Sequence, residues 1–122
     1  MKEKTIKVLK VEPMKAPTVT HLKNDLNSLQ EAVDGLIEII PLGKGVVILD
    51  NEEAKLRNMQ GNRRFFNDII AGTFYVVGDD DKGNLCSLTE EQIAYYNAVF
   101  LEPEVISDEE VASSVYFKIL FD

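Results

Sequence analysis

The chain has no tryptophan, a single cysteine (Cys86) and a single histidine (His21) in 122 residues. One cysteine excludes an intrachain disulfide, and the expected setting is reducing and intracellular. One histidine leaves little for a metal centre. His21, Cys86 and acids would have to converge from distant positions, and no Cys-x-x-Cys, His-Glu-x-x-His or calcium-loop spacing is present. No apolar run approaches the roughly 20 residues that a membrane-spanning helix needs. The opening Met1-Lys2-Glu3-Lys4-Thr5-Ile6 lacks the apolar stretch of a signal peptide. A cytoplasmic protein without membrane contact is therefore expected.

Positive charge is also scarce. Lys and Arg number 13 against 21 Asp and Glu, a formal net charge of −8. Phosphate backbones are held by positive charge, so direct nucleic-acid binding is not expected. The imbalance is uneven: residues 1–23 carry six lysines against Glu3 and Glu12, whereas residues 79–122 carry eleven acids against Lys82 and Lys118. That acidic third reads as a solvated face, or as a surface for a basic protein partner or an imitation of a phosphate backbone.

The apolar residues that remain are patterned for an α+β fold. The expectation is a mostly antiparallel or mixed sheet of five to six strands, with two main helices packed on one face, in one domain over residues 1–122. Thr5–Val11 alternates as a strand, and residues 17–22 are positioned to pair back on it. Asn24 or Asp25 caps a helix over about 25–34, which places Leu26, Leu29 and Val33 on one face, with Gly35 closing it in a left-handed conformation. Residues 36–50 read as a hairpin turning at Gly43-Lys44-Gly45, with Pro41 ending its first strand. A short helical segment follows at 52–57, and another core strand within 69–77. Ser87 or Thr89 opens a second helix, and Thr89-Glu90-Glu91-Gln92 has the form of a capping box. Its stripe is Ile93, Tyr96 and Phe100. The alternation of Val115, Phe117, Ile119 and Phe121 predicts a terminal strand over Ser114–Phe121. Such a strand would lie at an edge or pair with a second copy of the chain, making a homo-oligomer.

Catalytic signals are weak. Gly43-Lys44-Gly45 lacks the glycine spacing and following Ser/Thr of a phosphate loop, Asp79-Asp80-Asp81 reads as an acidic turn, and Cys86 has no base near it in sequence. No catalytic residue, metal or cofactor is expected. The strongest signal is Gly61-Asn62-Arg63-Arg64-Phe65-Phe66, where paired guanidiniums, a carboxamide and aromatics stand beside a buried strand. Arg63 and Arg64 are suited to bidentate phosphate contacts, Asn62 to an adenine edge, and Phe65, Phe66 or Tyr75 to stacking on a base. The alternative is structural: one arginine pairs with Asp68 or an acid of 79–81, and the phenylalanines belong to the core.

The same residues carry a resemblance. The order is Val11-Glu12-Pro13, then Leu29–Gly35 with Ile37–Leu42, then Val46–Leu56, Asn62-Arg63-Arg64, Asp68–Phe74, Val76–Asp80 and Ser87–Ile93. Over about residues 5–103 it resembles the family catalogued as domain of unknown function 3846. Residues 104–122 fall outside that likeness and read as an appended element. The resemblance implies small accessory proteins of bacteria, phages, plasmids and conjugative elements, and carries no established activity. In that setting the expectation is a non-enzymatic binder of a nucleotide or nucleotide-derived signal, with sequestration of a host defence messenger as its role. The alternative is an acidic protein-binding inhibitor, or DNA mimic, acting on a host restriction or defence enzyme.

Overall fold

The computed structural model describes residues 3–121, with side chains described through Val115. Strands β1 (Thr5–Val11), β2 (Thr18–Lys23), β3 (Ile37–Gly43), β4 (Val46–Asn51), β7 (Phe74–Asp79) and the two-residue β8 (Leu85–Cys86) form one sheet. A separate hairpin holds β5 (Gly61–Phe65) and β6 (Asp68–Ala71). The helices are α1 (Leu26–Val33), α2 (Glu90–Val99) and α3 (Asp108–Phe121). The large sheet runs β2-β1-β7-β4-β3, with β8 beside β7, and every pairing in it is antiparallel. The α+β class holds.

The central strands are apolar in both phases, so both faces of the sheet need cover. Leu9, Val11, Val46, Ile48, Phe74 and Val76 meet Ile70, Leu88 and Phe100 on one face, joined by Ile93 and Tyr96 of α2. Ile6, Val8, Val47, Leu49, Tyr75 and Val77 meet Leu29 and Val33 of α1 on the other. The two helices expected on one face therefore lie on opposite faces. β7 and β4 show why: a helix on one side alone would leave Tyr75, Val77, Val47 and Leu49 in water.

Local chemistry explains most boundaries. Asp25 caps α1 by accepting from the Ser28 N–H at 2.8 Å. The helix closes through left-handed Asp34 (φ 59°), one residue before the expected Gly35. Thr89 and Gln92 make the reciprocal capping box of α2. Pro41 does not end β3, which runs on to Gly43 with a bulge; an edge strand loses no ladder bond to a missing N–H. Residues 52–57 form successive turns instead of a helix. The Asn51 carboxamide accepts from the Glu53 N–H at 2.7 Å, and Asn58 adopts φ 56°. Asn51 Nδ2 also donates to the Val33 and Asp34 carbonyls, fastening this loop to the end of α1.

Two further expectations are corrected. Residues 69–77 are divided by Gly72 between β6 and β7, which belong to different sheets. Ser114–Phe121 is the later part of α3, not a strand, so the terminal strand offered as a basis for self-association is absent. Ser107 accepts from the Glu110 N–H, and Asp108, Glu109 and Glu110 fill the first turn, where carboxylates favour a helix. The alternation of Phe117, Ile119 and Phe121 concerns side chains outside the described ones.

Candidate functional site

The Asn62–Phe66 stretch is not a loop. It is strand β5 with the first turn residue of its hairpin, and strand alternation sends its side chains to different environments. Asn62 and Arg63 are both buried, at 0 % and 1 % exposure. Asn62 Nδ2 donates to the Val11 and Gly72 carbonyls at 2.8 Å each. Its Oδ1 accepts from Arg63 Nη1 at 2.7 Å. Arg63 spends its remaining donors on carbonyls. Nε and Nη2 donate to Phe100 at 3.2 and 2.9 Å, Nη2 to Lys15 at 2.6 Å, and Nη1 to Asn62 at 3.2 Å. Among the described residues, no carboxylate forms an ion pair with the guanidinium. Burial holds its pKa below the usual arginine value, partly opposed by the charge of Glu104. Arg63 thus ties together β5, the 12–16 turn and the end of α2, and has no donor left for a phosphate.

Arg64, the next residue, faces outward. Nη1 meets Glu104 Oε1 at 3.1 Å, Nη2 meets Glu110 Oε2 at 2.7 Å, and its backbone N–H donates to Glu104 Oε2. Hydrogen bonds that Arg64 donates to Glu110 and then Glu104 raise its pKa, and Arg64 in turn lowers that of Glu110. The acids paired with it are neither Asp68 nor 79–81. Asp68 pairs with Lys55, and Asp80 closes its own turn through Lys82 and Asn84.

The aromatics divide as well. Phe74, Phe100, Phe65 and Phe66 form a row from core to surface, with ring centroids 5.2, 6.0 and 4.5 Å apart in turn. Phe66 is 89 % exposed with φ 55°, while Tyr75 is buried on the opposite face of the sheet. Burial and the charge of Glu12 raise the Tyr75 hydroxyl pKa. Tyr75 cannot share a ligand with Phe65 and Phe66. Cys86 is half-buried, and burial pushes its thiol up, away from the thiolate a nucleophile needs. Among the described residues, no three His, Cys, Asp or Glu side chains converge as metal ligands would.

A concavity lies beside this hairpin, against β3–β4. It is a groove of about 630 Å³. Ile40, Ile69, Ile70, Ala71 and Phe65 supply its floor, and Phe66 and Leu56 its exposed lip. Among the described residues, four acidic side chains line it, Glu38, Asp50, Glu52 and Asp68, and one basic residue, Lys55. Asp68 pairs with Lys55. Of the six expected site residues, only Phe65 and Phe66 reach the groove. Glu38, Asp50 and Glu52 were not singled out in the sequence. The register Glu38↔Asp50 in β3–β4 was the signal for two of them, since a cross-strand acidic pair within an apolar hairpin is uncommon packing.

A family profile described as Domain of unknown function (DUF3846) matches residues 6–101. The chain belongs to that family. The match ends after α2, so α3 and the segment leading to it lie beyond the family span. No curated protein and no solved structure matches the chain. No helix among the described residues is long and apolar enough to cross a membrane.

Proposed function

We propose that this DUF3846 protein is a non-catalytic binding module whose groove takes a basic, apolar segment of a protein partner. The carrying observation is the pairing of an apolar floor with Glu38 and Glu52, beside guanidiniums already engaged within the fold. A phosphate entering this groove would meet carboxylates. A lysine- or arginine-bearing segment would meet complementary charge and an aromatic lip. The net charge of −8 adds long-range attraction for such a partner. In the setting that the family resemblance implies, the partner is a host protein in the bacterial cytoplasm, and inhibition of a defence enzyme is the corresponding role.

A nucleotide-type ligand is the second reading, favoured by exposed Phe66 packed against Phe65, which offers a face for a base. The test is a pair of measurements on wild type and a Glu38→Lys/Glu52→Lys variant. Capture from host lysate followed by titration of the recovered partner should show binding that weakens with salt and falls at least about tenfold in the variant. Equal binding by the variant would refute the groove reading. Thermal stabilisation by a nucleotide panel, retained in the charge variant and lost in Phe66→Ala, would establish the second reading instead.

A further inference from the structure

The apolar surface that floors the groove does not stop at its edge. Ala54, Ile69 and Ala71 line the groove and also form the bed on which Ile106 and Val111 are buried. Val115, one helical turn beyond Val111, reaches the groove wall. Residues 104–115 therefore lie across one end of a continuous trough on the β5–β6 hairpin. Two features seat them. Gly61 leaves room for the approach: a Cβ there would stand 2.8 Å from both Cβ and Cγ2 of Ile106 and 3.0 Å from Cγ2 of Val111. Arg64 then grips the segment at two points, Glu104 before the helix and Glu110 within it.

Among the described residues, Ile106 and Val111 are the buried apolar anchors of this attachment. Both ion pairs are at the surface, where water and salt screen them. The sheet beneath is enclosed by two larger clusters. We infer that residues 104–115 are a releasable strap, latched through Arg64, whose departure extends the groove along the hairpin by uncovering the Gly61–Ala71 end of the trough. The consequence for partner binding rests on the groove reading above, while the release itself does not.

The latch and the seat are independent handles, so two variants test release without any partner. Arg64→Ala removes both ion pairs. Gly61→Ala leaves the charges and pushes on Ile106, at a position with no positive-φ requirement. Hydrogen exchange of the full-length protein is read separately for amides 108–115 and for β1, β4 and β7. Both variants should speed exchange in 108–115 several-fold, about three- to tenfold, and leave the three strands unchanged. An apolar dye should brighten in step as Ala54, Ile69 and Ala71 are uncovered. Unchanged exchange in 108–115 in both variants would overturn the inference. So would parallel acceleration of 108–115 and the central strands, because the segment would then open only with the whole fold. If Arg64→Ala fails to fold, Glu104→Gln/Glu110→Gln breaks the same latch, and the same two outcomes decide. None of these results bears on whether the groove binds a partner.

Discussion

The sheet and the β5–β6 annex are held by different chemistry. In the sheet, β1, β4 and β7 bury apolar side chains on both faces, and α1 and α2 complete two hydrocarbon layers. In the annex, Ile70 and Phe65 still reach the sheet's apolar layer, but the hairpin is also fastened by a carboxamide and a guanidinium sunk among carbonyls, and the strap by ion pairs at the surface beside Ile106 and Val111. Apolar burial is non-directional and tolerates small shifts. Polar anchorage is directional and fails as a unit when one partner is removed. The groove lies on the seam between the two, with a wall from each.

The largest effect should come from Ile48, fully buried in β4. Ile48→Ala should cost about 2–5 kcal/mol through lost transfer energy and a residual cavity. Chemical denaturation should show a lowered midpoint in a single transition covering sheet and annex together. Arg63→Met is the corresponding break on the polar side. It keeps much of the volume and removes every guanidinium donor, leaving the carbonyls of Phe100 and Lys15 and the Oδ1 of Asn62 without that partner. About 2–4 kcal/mol of destabilisation is expected, since each stranded buried acceptor carries a desolvation penalty. If Arg63 were mainly a ligand-binding residue, Arg63→Met would leave the denaturation midpoint unchanged. A loss below about 0.5 kcal/mol, typical of surface substitutions, would show that the buried network contributes little.

The two regions also differ in how well the sequence announces them. Period-2 alternation in β1, the continuous apolar run of β4 after the Gly43-Lys44-Gly45 turn and the capping box at Thr89 are local signals, and they place their elements correctly. The side of the sheet taken by each helix is a tertiary matter. It was readable only by noticing that Phe74–Val77 is apolar in both phases. The annex misleads for a physical reason. Adjacent arginines look like one anion site, yet on a strand neighbouring side chains point to opposite sides, so Arg63 goes inward and Arg64 outward. Nothing local marks Phe100 and Lys15 as the acceptors for Arg63, since they lie 37 and 48 residues away. At the chain end, period-2 alternation in 115–121 competes with the acidic helix start at Asp108-Glu109-Glu110 after Ser107. The helix prevails where Val111 finds a bed on Ala54, Ile69 and Ala71.

The smallest effect sharpens the contrast between the strap and the sheet through pH. Glu110 has a folded-state pKa lowered below its unfolded value, first by its hydrogen bond to Arg64 and then by that residue's charge. Its contribution is therefore fully present above the ordinary carboxylate range and is lost as pH falls through the depressed folded value. Arg64 remains charged throughout that window, because its own pKa is raised. Acid lowers the occupancy of two other ionised carboxyls with depressed pKa values, Glu3 at Ser87 and Asp80 in its turn, but both lie outside the annex. The methyl resonances of Val111 should thus titrate with a midpoint below the ordinary carboxylate range, while those of Val47 and Val77 stay fixed over the same range. Glu110→Gln should abolish the Val111 transition and leave the Glu3 and Asp80 responses intact. A Val111 transition that survives in Glu110→Gln would place the pH-sensitive contact elsewhere, and the strap would then be held by its two apolar anchors rather than by its charge.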